Sequence, residues 1–165
     1  MAAGTWKIYA KAKKYIGAGT IILGATNIYK MQLYRSGASA TPAGTQGAIQ
    51  ALSVRSTNGS LSAHEISATG GYVAGGRTMT PSPGLLWTVG TSAKQYKFTM
   101  TASGLGFTAS GASLKVIKYA LIRNSTSAAG GKALCFCTLS STAFSITSPN
   151  TLTILPASTG IFTLA

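Results

Sequence analysis

The sequence predicts an all-β fold: an antiparallel β-sandwich or jelly-roll-like single domain over residues 1–165, with a short N-terminal helix. From Thr20 onward, apolar residues recur with a period of two, which is the period of a β-strand. Ser, Gly, Pro and Asn separate these short runs, and no helical pattern lies between them. A chain of 165 residues that is 45% apolar is long enough to bury one core.

The helix is predicted over residues 5–17. Thr5 is a suitable N-cap and Gly17 a suitable end. One face is apolar and is expected to dock on the domain: Trp6, Tyr9, Ala10 and Ile16. The other face is basic: Lys7, Lys11, Lys13 and Lys14. Such a face is either solvated or in contact with a partner, and the sequence leaves both interpretations open.

The first strand is predicted over residues 28–34. Apolar residues at 29, 31 and 33 alternate with Lys30 and Gln32, a pattern typical of a half-buried strand. Seven more strands are predicted by similar runs: Leu85–Val89, Gln95–Met100, Leu114–Ile122, Lys132–Leu139, Phe144–Thr147, Thr151–Leu155 and Ile161–Leu164. The pattern does not fix the order in which these strands pair.

Two segments differ from the strands in composition. Residues 36–62 contain few large apolar side chains and are rich in Gly, Ala, Ser and Thr, which indicates a long loop or arm that orders against a neighbour. The glycine-rich run Thr69–Gly76 is not followed by a helical pattern, as a phosphate-binding loop would be. A turn that needs positive φ angles is the better explanation.

Cys135 and Cys137 lie one residue apart in an apolar run. On a strand both side chains point to the same face, about 6.5 Å apart, which is unsuitable for a disulfide. We therefore expect two buried, small apolar residues.

The charge balance is the least common feature of the composition. Fourteen Lys and Arg residues stand against one acid, Glu65, which gives a net charge of +13 and a pI near 10.2. Such a chain is attracted to an acidic protein surface, to nucleic acid or to an anionic membrane. Excess charge could instead serve only solubility, but a mean hydropathy of +0.28 favours a subunit that covers much of its surface with neighbours.

Catalysis by the common acid–base mechanisms is disfavoured. Paired-carboxylate chemistry needs two carboxylates, and a Ser-His-Asp triad needs one that orients His64. Glu65 follows His64 directly, so on a strand the two side chains point to opposite faces. Magnesium and calcium prefer carboxylate ligands, and a zinc site from His64, Cys135 and Cys137 would have only three ligands. We predict a non-enzymatic protein without cofactor or metal.

Nucleic-acid binding is a competing hypothesis. Several aromatic residues stand close to Lys or Arg in the sequence: Trp6, Tyr9, Tyr15, Tyr34, Tyr96 and Tyr119. The strand pattern puts Tyr96 with Phe98, and Tyr119 with Ile117 and Leu121, on shared faces. We expect these aromatics to belong to the core.

The sequence resembles a family of small tailed-phage virion proteins over most of its length. Gly70–Met79, which contains a Gly-Tyr-x-Ala-Gly-Gly-x-Thr turn, and the strand Lys118–Ile122 carry most of the resemblance. Other segments support it: Ile16–Ile21, Ile28–Leu33, His64–Ile66, Leu86–Thr88, Phe107–Ala109 and Phe144–Leu155. Acidic residues that members carry after Gly-Thr-Ile are missing here, where Ile22–Asn27 follow, which suggests a more acidic neighbour.

The resemblance implies a structural role in a virion and no activity. We predict a capsid decoration or cement protein on the capsid exterior, which bridges major capsid subunits and neighbouring copies of itself. The predicted contact residues are basic: Lys7, Lys11, Lys13, Lys14, Lys30, Arg35 and Arg55. The alternatives are a tail, neck or fibre component and a nucleic-acid-binding protein inside the particle.

No secretion signal or membrane attachment is expected. The first residues lack an apolar run of signal-peptide length, and no run approaches the roughly 18 apolar residues of a spanning helix. We expect synthesis in the host cytoplasm and assembly into the virion.

Overall fold

The computed structural model describes residues 4–23, 27–35, 64–79, 85–89, 96–100, 104–126, 131–155 and 160–164. The predicted arm at 36–62 and Arg55 lie outside these residues. The elements are β1 (Lys7–Ile8), α1 (Ala10–Gly17), β2 (Tyr29–Arg35), β3 (Arg77–Met79), β4 (Leu85–Val89), β5 (Tyr96–Met100), β6 (Leu105–Thr108), β7 (Leu114–Asn124), β8 (Lys132–Thr138), β9 (Phe144–Ile146), β10 (Thr151–Ile154) and β11 (Phe162–Leu164). The predicted all-β class with a short N-terminal helix is confirmed.

The largest sheet is antiparallel and has the order β1–β8–β7–β2–β3, with β9 also paired to β7. Its centre is β7, an eleven-residue strand. β7 pairs with β2 from Tyr29↔Asn124 to Tyr34↔Tyr119. Ile117, Tyr119 and Leu121 of this strand are almost fully buried, as their shared face predicted.

Two smaller antiparallel sheets complete the fold, in the orders β11–β5–β4 and β10–β6. Phe98 of β5 packs edge-on against Tyr29 of β2, with ring centroids 6.0 Å apart. Phe107 of β6 lies 6.0 Å from the ring of Tyr72. Aromatic pairs thus join the smaller sheets to one continuous core.

β2 is more buried than its alternation predicted. Tyr29, Met31 and Leu33 are buried as expected, but Gln32 on the opposite face is only 1% exposed. The Gln32 amide lies in a hydrogen-bond network, since it donates to the Glu65 carboxylate at 3.0 Å and accepts from the Tyr34 hydroxyl at 3.1 Å. The prediction of a half-buried strand was therefore wrong for the centre of β2.

The helix begins later than predicted. Its N-cap is Tyr9 rather than Thr5. Lys7 and Ile8 are instead extended and pair with β8, and Tyr9 N–H donates to the Leu134 carbonyl at 3.1 Å. Ala10, predicted on the apolar face, is exposed, and Ala12 is the buried helix residue. Strand pairing at the sheet edge overrides the helical spacing of the first residues.

Candidate functional site

Four exposed lysines, Lys7, Lys11, Lys13 and Lys14, form a surface that we call the basic edge. Lys7 lies on β1, the outermost strand of the large sheet, and the other three lie on α1. Buried aromatic residues fix this region from below, since the Tyr9 ring packs 5.5 Å from Phe136 of β8. The sheet therefore anchors the backbone segment that carries these four lysines.

The lysines of α1 have no acidic residue beside them on the helix. Its first turn has no acidic residue, and Lys11 and Lys14 are three residues apart, which places like charges side by side. Lys14 in the last turn interacts favourably with the negative end of the helix dipole. Lys132 at the start of β8 lies 5.4 Å above the Tyr15 ring and adds a fifth cation to this end of the molecule.

Lys30 and Arg35 do not join the basic edge. Both lie on β2, which two strands, β8 and β7, separate from β1, a distance of roughly 14 Å at the usual strand spacing. Arg35 is exposed at the end of β2, next to a bulge against β7. Lys30 is half-buried near the start of the strand. The predicted contact residues thus fall into separate groups.

Lys30 lines a half-open cleft of about 460 Å³, which we call the Lys30–Arg77 cleft. β3 contributes Arg77, and β6 contributes Phe107 and Thr108. The Arg77 guanidinium donates a hydrogen bond to the Gly106 carbonyl and so links β3 to β6. Val73 also lines the cleft and is 72% exposed.

The glycine-rich turn shapes the wall of this cleft. Gly71 has φ +83°, and a Cβ there would lie 3.0 Å from the Thr108 carbonyl oxygen. Gly76 has φ +81°, and a Cβ there would collide with the Met31 carbonyl oxygen. Only glycine permits both the backbone angles and the close approach. The predicted positive-φ turn is confirmed at these positions.

Glu65, the one acidic side chain of the sequence, anchors this turn to β2. Its Oε1 accepts hydrogen bonds from the Tyr72 hydroxyl at 2.5 Å and from Gly75 N–H at 2.9 Å. Its Oε2 accepts one from Gln32 Nε2 at 3.0 Å. The Tyr72 hydroxyl also accepts from Leu33 N–H at 3.1 Å. The carboxylate thus holds three separate parts of the chain together.

The surroundings of Tyr72 keep its hydroxyl protonated. Burial is the main cause that raises the pKa of Tyr72 far above its usual value, and the neighbouring Glu65 carboxylate adds to it. A protonated hydroxyl is the form that can donate to Glu65. The two groups therefore work as a fixed donor–acceptor pair.

The cysteine prediction is confirmed, because Cys135 and Cys137 are free and buried in β8. Burial raises the pKa of the Cys135 thiol well above its usual value. It also raises the pKa of Cys137 to about 12. Both thiols are therefore protonated at neutral pH and behave as small apolar side chains.

The aromatic residues that neighbour basic residues in the sequence are largely internal. Trp6, Tyr9, Tyr34 and Tyr119 are buried, as predicted for a core role. Tyr15 is half-buried beneath Lys132. The side chain of Tyr96 lies outside the described part of the structure. Four of the six candidate stacking residues are thus inaccessible to a nucleic-acid base.

Sequence reasoning missed Arg77, Lys132 and the structural use of Glu65. Arg77 follows the glycine-rich turn directly, and that position was the available signal for a cation beside the turn. The partners of Glu65 come from residues 32, 72 and 75, so its role depends on tertiary structure. The sequence pattern carries no signal for those contacts.

In the part of the chain that the structure describes, no three His, Cys, Asp or Glu side chains lie together as a metal site requires. No helix among those residues is long and apolar enough to cross a membrane. Comparison of the chain with protein-family models, curated proteins and solved structures finds no match.

Proposed function

We propose that this chain is a non-enzymatic structural protein of a tailed-phage particle, a decoration or cement protein that bridges major capsid subunits on the capsid exterior. The distribution of charge is the observation that carries this proposal. The fold uses its one acidic side chain internally, where Glu65 joins β2 to the turn. The lysines of the basic edge all face outward. The surface is therefore complementary to an acidic protein lattice.

Burial of the aromatic residues favours a protein partner over nucleic acid. Proteins that bind single strands without sequence preference stack bases on exposed aromatic rings. Tyr9, Tyr34 and Tyr119 are each at most 1% exposed. The Lys and Arg residues next to these tyrosines in the sequence are therefore not accompanied by exposed aromatic rings on which bases could stack.

Exposed apolar side chains also support an assembly component. Several large ones are at least 38% exposed: Ile22, Ile28, Val73, Val116 and Leu155. Single exposed apolar residues are common, but combined with 9% charged residues they leave a surface suited to contact with neighbouring subunits. A decoration protein makes many such contacts on an assembled shell.

Co-sedimentation with DNA-free capsids that lack the protein tests this proposal. Saturable binding to empty shells that weakens as salt rises is the expected result, because complementary surface charges are screened. Bound protein should also raise the melting temperature of the shells by mass action. Tail structures and duplex DNA are assayed in parallel. Binding to DNA alone would replace the proposal with a nucleic-acid-binding role, and binding to tails alone with a tail role.

A further inference from the structure

We propose that the Lys30–Arg77 cleft binds an extended acidic segment of a partner protein, laid between β3 and β6. We assign that segment to the major capsid protein, and this assignment rests on the proposed function. The cleft is distinct from the basic edge, so it would give the protein a second contact with the same partner.

Two strand edges border the cleft. Among the described strands, β3 pairs only with β2, and β6 pairs only with β10. Both strands contribute residues to the cleft lining. The Gly106 carbonyl already accepts from the Arg77 guanidinium, so main-chain hydrogen bonds to an occupant would use other groups of these two edges. An extended segment between two such edges can form main-chain hydrogen bonds, as in recognition by strand addition.

The charge of the cleft selects an acidic occupant. Lys30 and Arg77 both line it, and Arg123 of β7 pairs directly with Lys30 in the sheet register. The one side-chain carboxylate of the chain, Glu65, is bonded to Gln32, Tyr72 and Gly75. An acidic side chain that neutralises Lys30 or Arg77 must therefore belong to a partner. Carboxylate–cation hydrogen bonds are about twice as strong as neutral ones.

The apolar part of the lining favours an occupant in which acidic and aliphatic residues alternate. Phe107, Tyr72 and Leu114 are buried beside the two cations. Successive side chains of an extended segment point in opposite directions. A segment in which acidic and aliphatic residues alternate can therefore place carboxylates on Lys30 and Arg77 and aliphatic groups on the aromatic lining.

Hydrogen bonds within the chain hold the walls of the cleft in place. Glu65 fixes Tyr72 and Gly75 of the turn, and Arg77 fixes β3 to β6. A preformed site avoids the cost of ordering loops during binding. The occupant, rather than this chain, provides the segment that becomes ordered.

Fluorescence anisotropy with a labelled peptide of alternating aspartate and valine tests the proposal. The experiment uses the full chain at about 150 mM salt, so that long-range attraction to the +13 charge is screened. Lys30→Glu should weaken binding at least about tenfold, since it removes one charge-assisted contact and adds a repulsive one. Val73→Glu should also weaken peptide binding. Because Val73 is an exposed residue of the cleft lining, this substitution does not disturb the core.

Lys115→Glu is the matched control. Lys115 is exposed on β7, is not part of the cleft lining, and its replacement changes the net charge by the same amount as Lys30→Glu. Unchanged affinity in this control supports the cleft. Equal losses in Lys30→Glu and Lys115→Glu would overturn the proposal, because general charge would then explain binding. Absence of peptide binding, or complete competition by millimolar inorganic phosphate, would overturn it as well.

The same variants separate the cleft from the proposed function. If empty capsids bind wild-type protein and Lys30→Glu equally, the cleft assignment fails and the decoration role stands. If the peptide binds in the cleft but capsids bind no wild-type protein, the decoration role fails and the cleft remains a site for another acidic partner.

Discussion

The turn around Glu65 and the basic edge use charge in opposite ways. Glu65 accepts three hydrogen bonds from within the chain. The lysines of the basic edge project from β1 and α1 into solvent, and the described part of α1 provides no acidic residue in its first turn. In one region the charge is part of the fold, and in the other it is exposed to solvent.

This difference shows that net charge and structural charge are separate properties of the molecule. A single carboxylate is sufficient where it joins β2, Tyr72 and the glycine-rich turn. The exposed lysines of the basic edge are not expected to be needed for folding, because exposed surface charges usually contribute little to stability. Variants at Glu65 should therefore change stability, and variants of the basic edge should change binding.

Loss of the Glu65 carboxylate is expected to have the largest effect on stability. Glu65→Ala should lower the free energy of unfolding by about 3 kcal/mol, because three donors in a partly buried region lose a charged acceptor. Urea denaturation measures the change. Glu65→Gln should lose less, since an amide oxygen can still accept from Tyr72 and Gly75. A loss below about 0.5 kcal/mol for Glu65→Ala, the range of ordinary surface substitutions, would show that the network is not structural.

Alkaline pH is expected to destabilise the protein through its buried titratable groups. Burial raises the pKa of Tyr29 from 10.0 to about 12 and the pKa of Cys137 from 9.0 to about 12. Below about pH 8 both groups are protonated in the folded and the unfolded chain, so their stabilising contribution is complete. Between their usual pKa values and about 12, only the unfolded chain releases these protons, and stability falls by up to about 1.4 kcal/mol per pH unit for each group.

Urea midpoints between pH 8 and 11 test this expectation. Comparison with the Cys137→Ala variant isolates the part of the fall that comes from this thiol. The variant should show a shallower fall in stability than the wild-type protein above pH 9. Equal slopes in the two proteins would contradict burial of the Cys137 thiol.

A single substitution on the basic edge is expected to have the smallest effect. Lys11→Gln should raise the free energy of unfolding by about 0.2–0.5 kcal/mol, because it removes repulsion from Lys14 three residues later. The difference should shrink at high salt, where the repulsion is screened. Thermal denaturation at low and high salt measures it. A loss above about 1 kcal/mol would mean that the lysine has a role in the fold.

The sequence predicted strands well where apolar alternation was strong. Leu85–Val89 has the predicted bounds, and β7 and β8 differ from their predictions by one or two residues. The sequence pattern did not predict β3 or β6, because Arg77–Met79 has one apolar residue and Leu105–Thr108 contains a glycine. It also extended the helix over Lys7 and Ile8, whose pairing with β8 depends on residues far along the chain.

The candidate site was predictable only in part. Exposure of Lys7, Lys11, Lys13 and Lys14 was predicted, although Lys7 is exposed on a strand and not on the predicted helix. The predicted cations lie in two places, on the basic edge and on β2, because β8 and β7 lie between β1 and β2. The alternation of apolar residues in the sequence does not encode this strand order. The Lys30–Arg77 cleft requires β3 and β6 to lie side by side, and neither strand was predicted.

Binding of two matched variants to empty capsids tests the central claim most directly. One variant carries Gln at Lys7, Lys11 and Lys14 of the basic edge, and the other carries Gln at Lys97, Lys115 and Lys118, outside the basic edge. If the basic edge faces the capsid, the first variant should bind at least about tenfold more weakly than the second at equal net charge and equal stability. Equal capsid affinity for the two variants would contradict the account, because the lysines of the basic edge would then be only solvated.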